Sequence, residues 1–458
     1  MKFGGSSICD AERIVEVERI IRKHLNDKPV IVFSAMGRTT DMLIDAGKRA
    51  LSGTVEISEI EKIHLIAVEE LKLNPEPIVL LLNELSQLLQ GVSLIKELSK
   101  KTHDYLLSFG ERLAVRVISQ HLTATGVPAK FFDAWDLGFI TDSNFGDAEI
   151  QDETFSNIPL AFKSDLTEYS YTPIVTGFIA KDRHGDPTTL GRGGSDLTAS
   201  ILGAALGATE VIVWKDVNGI LTTDPRIVPD ARPVPLVSFE EAAELAFFGA
   251  KVLHPLSIEP AMKRGIPVRV KNSYNPTHPG TVILGRAPMN EDCPVRAITC
   301  KRDVTLFDIS STKSLGKHGF LTEVFKVFSD LEISVHMIAT SDVSISLTLE
   351  WDHDLEQAEQ RLKKIANVNV EHGKAILSLI GDVERASIIL DRTFRILSAS
   401  DVNVQMISQG ASKVNIALII EDSQIEKCIR ELHKHFFEKE TVSYSPDLEA
   451  PRSLSSPS

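Results

Sequence analysis

The sequence predicts an α/β protein: a parallel sheet covered by helices in the first two thirds, then two copies of a small β, α, β, β unit. Three observations carry this. A short strand, glycine turn, helix and apolar strand follow one another at the start of the chain. Further apolar runs recur at 173–179, 211–214 and 267–270, separated by helical or turn-rich stretches. Beyond about residue 300 the rhythm changes to two similar passes of strands around single helices.

Ile14, Val17, Ile21 and Leu25 recur at helical spacing from Ala11, and Pro29 then introduces the buried-strand run VIVFSA. Residues 55–100 are rich in Glu, Leu and Lys and poor in Gly, which predicts added helices. After PIVTGFI, Ser195 is placed to cap a helix carrying Leu197, Ile201 and Ala204. After VIVW, Ser238 opens another helix with Glu241 as its capping-box partner. The polar, Pro-containing stretch GRAPMNEDCP at 285–294 marks a boundary. VTLFDIS, GFLTEVFKVFSDL, ISVHMIAT and VSISLTLE form the first pass, and AILSLIG, ERASIILDRTFRILSA, VNVQMISQ and KVNIALIIE the second. Expected domains are therefore 1–290, 300–373 and 374–446, with a tail at 447–458.

A net charge of -14 over 458 residues argues against a role dominated by nucleic-acid phosphates, so no nucleic-acid partner is expected. Scattered cysteines without zinc-knuckle spacing fit reduced thiols. With neither a secretory nor a transit signal and only short apolar stretches, a cytoplasmic protein without membrane spans is expected.

Four segments concentrate chemistry. In KFGGSS, Gly4 and Gly5 permit close backbone approach, Ser6 adds a small donor and Lys2 reaches the same space; a turn of this kind serves either as a plain tight turn or as a phosphate cradle. In TTLGRGGSDLTA, Arg192, Ser195 and Asp196 suit an anionic substrate, and equally a capped helix start. KDVNGILTTDPR places Lys215, Asp216 and Arg226 after a buried strand, where parallel sheets bind ligands; the same residues would suit a decorated surface loop. FGAKVLHP offers Lys251, while His254, with no second His or Cys at ligand spacing, reads as a packing or capping residue; no protein metal ligands are assigned.

Together KFGGSS, SFGERLA, GFIAKD, TLGRGGSD, DVNGILTTDPR and FGAKVLHP resemble, in family order, the aspartate kinases of the amino-acid kinase family. The repeated C-terminal unit is similar to their paired ACT domains. The resemblance implies a three-layer amino-acid kinase fold with an open, mostly parallel sheet, followed by two ferredoxin-like ACT domains. It implies transfer of the ATP γ-phosphoryl group to the side-chain carboxylate of L-aspartate, assisted by Mg²⁺, as the first step toward lysine, threonine and methionine. Lys2 and Asp196 become the catalytic candidates. Ser34, Thr40, Glu111, Arg192 and Ser195 become substrate contacts. Lys2, Gly4, Gly5, Ser6, Lys215, Asp216, Leu221, Arg226, Lys251 and Val252 become nucleotide contacts.

For regulation, the resemblance implies an amino-acid effector, with lysine favoured, at Ser314, Gly319, Phe320, Leu321, Ser334, Val335, His336, Thr340, Ser341 and Asp342. It also implies a homodimer or larger homo-oligomer through the ACT domains. The chain departs from the lysine-sensitive bacterial pattern at Leu221, where Tyr is usual, at His336, where Asp is usual, and at Asp342, where Glu is usual. A kinase acting on another amino acid, or a silent amino-acid sensor, are the competing expectations.

Overall fold

A computed structural model describes residues 1–162, 171–249, 253–287, 293–310, 319–341, 344–350, 354–410 and 412–438. The larger sheet runs Ala129–Phe132, Thr172–Thr176, Ile31–Phe33, Lys2–Phe3, Val211–Lys215, Val268–Asn272, Thr281–Leu284, Leu236–Ser238. Pairing is parallel throughout except between Val268–Asn272 and Thr281–Leu284. Lys2–Phe3 lies between Ile31–Phe33 and Val211–Lys215, so the order reverses beside the first strand. In open parallel sheets such a reversal opens a crevice at the strand ends.

Alternation along the strands separates two apolar layers. Phe3, Phe33 and Trp214 stack on one face, with ring centroids 5.4 and 5.7 Å apart, beneath the helices Ala11–Lys23, Thr39–Leu51, Ser58–Glu70, Glu76–Ile95 and Lys100–Ala124. Val32, Val175 and Val213 face the opposite layer with Glu153–Phe162, Gly194–Leu206, Phe239–Phe247 and Pro255–Lys263. This is the three-layer arrangement expected.

Two local expectations need correction. Ser195 does not cap its helix: Gly193, at φ +78°, holds the cap position of Gly194–Leu206 and Ser195 lies inside the first turn. Nor are all apolar stretches short. Glu76–Ile95 is a 20-residue helix long and apolar enough to cross a membrane by length and composition; its Ile78, Leu82, Leu85 and Leu89 are buried in the helical layer. The capping box at Ser238 and Glu241 is present as read.

The second sheet is antiparallel, in the order Val335–Thr340, Ser344–Glu350, Val295–Ser310, Asn367–Gly381, Asn415–Glu421, Met406–Ser408. Two long strands, Val295–Ser310 and Asn367–Gly381, lie side by side at its centre, and each serves both repeats. Val295–Lys301 pairs with Ile376–Gly381, and Leu306–Ser310 lies between Ser344–Thr348 and Asn367–Glu371. The register shifts between Lys301 and Val304, where Asp303 has φ +55°. Helices Phe320–Asp330 and Leu355–Leu362 cover one half of this sheet, and Ala386–Ala399 and Ile425–His433 the other.

Candidate active site

Lys2 ends up 5% exposed in the strand beside the sheet reversal, although a lysine is rarely buried unless paired. Its Nζ lies 2.7 Å from Asp196 Oδ1, and Lys215 Nζ lies 2.8 Å from Asp196 Oδ2. Three motifs thus converge: the first strand supplies Lys2, the end of Val211–Lys215 supplies Lys215, and the first turn of Gly194–Leu206 supplies Asp196. Burial alone would raise the Asp196 carboxyl, but the two ammonium groups more than offset it and hold it below the usual range. Burial pulls the Lys2 ammonium down against the attraction of Asp196, and the Lys215 charge adds to that fall.

Glu111, on Lys100–Ala124, is also buried, and its Oε1 accepts from the Ala35 N–H at 3.2 Å. Its Oε2 is buried without a partner. Burial pushes this carboxyl up to about 8, opposed by the Ala35 hydrogen bond and the charge of Lys2. Ser34 and Thr40 are half-buried after the strand Ile31–Phe33, Thr40 within the first turn of Thr39–Leu51.

Gly5 lets the first turn lie against the loop after Ile31–Phe33. A Cβ there would stand 2.6 Å from Ala35 O and 2.8 Å from Gly37 O. Ser6 is exposed, and its carbonyl accepts from the Tyr274 hydroxyl at 2.8 Å. Ser195 is buried under Gly177, where a Cβ would sit 2.5 Å from Ser195 Cβ. Arg192 is exposed on the loop that enters the helix.

Beside Lys215 opens a cavity of about 320 Å³ bordered also by Asp216, Leu221, Asp224 and Arg226. Asp224 holds Arg226 in a bidentate pair at 2.6–3.1 Å. The wall opposite comes from the second sheet and its helix: Ile298, Thr299, Cys300 and Ile429. Lys251 and Val252 lie outside the described residues, as do Ser314 and Asp342.

The remaining candidates, Gly319, Phe320, Leu321, Ser334, Val335, Thr340 and Ser341, lie on or beside the edge strand Val335–Thr340 of the second sheet and its first helix, Phe320–Asp330. Ser334, Thr340, Ser341 and Leu321 are exposed there. His336 differs, because its side chain is only 6% exposed, its Nε2 is 3.2 Å from Lys301 Nζ and its ring stands edge-on to Phe247 of the first unit at 5.5 Å. Burial, then the neighbouring Lys301 charge, lowers its pKa, which leaves the imidazole neutral near pH 7.

Several residues at this site carried no sequence signal. Asp104, in the same helix as Glu111, is buried and accepts from Gly146 N–H, Thr189 N–H and Thr189 Oγ, all at 2.9 Å. It ties down the strand that leads into the Arg192 loop. Ser273 Oγ and Ser7 Oγ are 2.8 Å apart, and Arg13 donates to the Ser273 carbonyl at 3.0 Å while stacking 3.7 Å over the Tyr274 ring. These contacts secure the glycine turn from across the sheet.

Residues 1–272 match the amino acid kinase family and residues 377–436 match an ACT domain. Over 97% of its length the chain is 49% identical to aspartokinase 1, chloroplastic, of Arabidopsis thaliana, covering 81% of that relative. The chain belongs to the aspartokinases of the amino acid kinase family. Lysine-sensitive aspartokinase 3 of Escherichia coli K12 is 33% identical, with 95% of this chain and 98% of the relative covered. Among solved aspartokinases, E. coli aspartokinase III in complex with aspartate and ADP (R-state) superposes with a TM-score of 0.77 at 32% identity, over 95% of this chain and 99% of the other. The same enzyme in complex with lysine and aspartate (T-state) gives 0.77 at 33%, over 95% and 98%. The Arabidopsis aspartokinases are chloroplastic by name, so a strictly cytoplasmic location does not hold across these relatives.

Proposed function

We propose that this aspartate kinase runs its reaction on the Lys2, Asp196, Lys215 cluster: an aspartate side-chain carboxylate oxygen attacks the γ-phosphorus of MgATP, the bond to the β-phosphate oxygen breaks, and 4-phospho-L-aspartate and ADP leave. The observation that carries the assignment is the pair of ammonium groups bridged by one buried carboxylate beside the sheet reversal. The attacking carboxylate is ionised near neutral pH, so no general base is needed. The difficulty is electrostatic, since two anions must meet in line. Lys2 meets the transferring phosphoryl oxygens, Lys215 the adjoining phosphates, and Asp196 fixes both ammonium groups.

With Asp196 occupied by the two lysines, the unpartnered Oε2 of Glu111 is left for the substrate ammonium. Arg192 closes on the substrate α-carboxylate from its exposed loop, with Ser34, Thr40 and Ser195 lining the same space. Gly4, Gly5 and Ser6 face the phosphates, and Asp216, Leu221 and Arg226 border the cavity that takes the nucleoside. Mg²⁺ enters as part of the nucleotide substrate and adds its charge to that of the lysines.

Lysine is the proposed effector, taken up at Ser334, Val335, Thr340 and Ser341 with Gly319, Phe320 and Leu321, and a second protomer pairs along the regulatory sheet. The test is hydroxylamine trapping of the acyl phosphate with MgATP and aspartate, repeated with glutamate as acceptor and with lysine or threonine added. Aspartate-dependent hydroxamate that falls with lysine supports the whole reading. Hydroxamate unaffected by lysine removes the effector alone, and hydroxamate with glutamate but not aspartate removes the acceptor.

A further inference from the structure

The helix Ile425–His433 of the second repeat packs against the loop that borders the cavity beside Lys215. Thr222 is where the two join. Its N–H donates to the Arg232 carbonyl at 2.8 Å, and its own carbonyl accepts from the Ile298 N–H at 2.7 Å, so its backbone is fully paired. Its Oγ accepts from the Arg232 N–H at 2.9 Å and lies 2.9 Å from His433 Nε2. On the same helix Arg430 Nε donates to the Ile227 carbonyl at 3.1 Å, and Ile429 borders the cavity itself.

His433 is fully buried, and its two nitrogens have different partners. Nδ1 faces Glu438 Oε1 at 3.4 Å; an ionised carboxylate only accepts, so Nδ1 carries the proton of the neutral ring. Nε2 is then the acceptor and the Thr222 hydroxyl donates to it, which the Arg232 N–H permits because that bond uses only an oxygen lone pair. Burial lowers the His433 pKa against the opposing effect of Glu438, which keeps the ring neutral near pH 7.

Thr222 turns its side chain to the helix while its two neighbours, Leu221 and Thr223, border the cavity, the alternation of an extended stretch. Thr223 Oγ is buried without a partner, and the next residue, Asp224, holds Arg226. We propose that His433 is a positioning residue of the nucleotide site: by accepting from Thr222 it fixes residues 221–224 in the register that the nucleotide meets. His433 touches no substrate and acts through Thr222 alone. The inference rests on the assignment of this cavity to the nucleotide.

The experiment is steady-state kinetics of the full chain in His433→Leu, Thr222→Val, the double variant and His433→Gln, each shown to be folded by urea denaturation. KM for ATP should rise about tenfold in each of the first two, the scale of one lost buried hydrogen bond, while kcat and KM for aspartate change by less than about twofold. The double variant should be no worse than either single one, because both remove the same bond. His433→Gln, whose amide oxygen replaces Nε2 as acceptor, should return KM for ATP to within about threefold of the unaltered chain. Thr222→Val preserves side-chain shape, so the test stands even if His433→Leu misfolds. An unchanged KM for ATP in Thr222→Val, an equal rise in both KM values, or multiplied effects in the double variant overturns the proposal. Arg226→Glu, which reverses a charge at the border of the cavity, tests the nucleotide assignment by itself. If it raises KM for ATP and Thr222→Val does not, the positioning role alone is overturned; if it leaves KM for ATP unchanged, the nucleotide assignment falls and the role of His433 with it.

Discussion

Asp196 stands between two ammonium groups, with Lys2 Nζ 2.7 Å from one carboxylate oxygen and Lys215 Nζ 2.8 Å from the other. Only 5% of Asp196 is exposed, so this triad is a charge assembly rather than a surface ion pair. Replacing Asp196 by Asn keeps the shape and removes the charge that fixes both lysines. Turnover is expected to fall by about 10²–10³, the scale of losing preorganised charge stabilisation, with stability changed far less. Asp196→Ala leaves buried like charges facing each other and should also cost about 3–5 kcal/mol of stability. Hydroxamate rates and urea denaturation on the two variants separate these effects.

Glu111 provides a pH signature. Its carboxyl titrates at about 8 in the free protein, and a substrate ammonium prefers the ionised form. Apparent affinity for aspartate should therefore improve as pH rises toward 8 and level off above it, and Glu111→Gln should flatten that profile while raising KM about tenfold or more. The stability sign is opposite. With the folded pKa above the unfolded value, the folded state holds a proton that the unfolded chain releases, so stability falls as pH rises from about 4.5 to about 8. A flat KM profile in the unaltered chain would contradict the role given to Glu111.

The motifs were legible one at a time, and the resemblance set them in order. Their meeting was not legible from local pattern, because Lys2 and Asp196 become neighbours only when the first strand pairs with Val211–Lys215. Ser195 was misread as a cap because Ser is a favoured capping residue, whereas the left-handed turn at Gly193 starts the helix two residues earlier. The repeat was visible, but the two long strands that serve both copies were not, since nothing in VRAITCKRDVTLFDIS or NVNVEHGKAILSLIG announces that one strand runs through both. Residues 298–300 came to border the cavity beside Lys215 for the same reason. Asp104 was silent because its partners, Gly146 and Thr189, are distant in sequence and form no motif with it.

Asp104 is accordingly a test of positioning. Asp104→Ala leaves the Gly146 and Thr189 donors without their acceptor and should cost about 2–4 kcal/mol. Because Thr189 precedes the Arg192 loop, KM for aspartate should rise more than kcat falls. Denaturation and steady-state kinetics check the two halves, and an unchanged KM would confine Asp104 to stability.

Gly249 marks the joint between the catalytic and regulatory sheets. It has φ +121°, and a Cβ there would lie 2.6 Å from the Cys300 carbonyl. Gly249→Ala should destabilise the joint by about 1–3 kcal/mol and raise KM for ATP. An unaltered KM for ATP would separate this joint from nucleotide binding.

His64 should set part of the acid limit. It is fully buried, its Nδ1 is 2.8 Å from the Ile60 carbonyl, and burial lowers its pKa to about 4. The unfolded chain takes up the proton first, so stability should fall as pH drops from about 6.5 to about 4, by up to about 3 kcal/mol. A denaturation series over that range should lose this component in His64→Leu.

The most direct measurement follows ADP and aspartyl hydroxamate in the same reaction for the unaltered chain, Lys2→Ala and Asp196→Asn, each shown to be folded. Equal amounts of the two products from the unaltered chain, with both products depressed together in the variants, is the predicted result. Undiminished hydroxamate formation by folded Lys2→Ala would contradict the assignment of phosphoryl transfer to the Lys2, Asp196, Lys215 cluster.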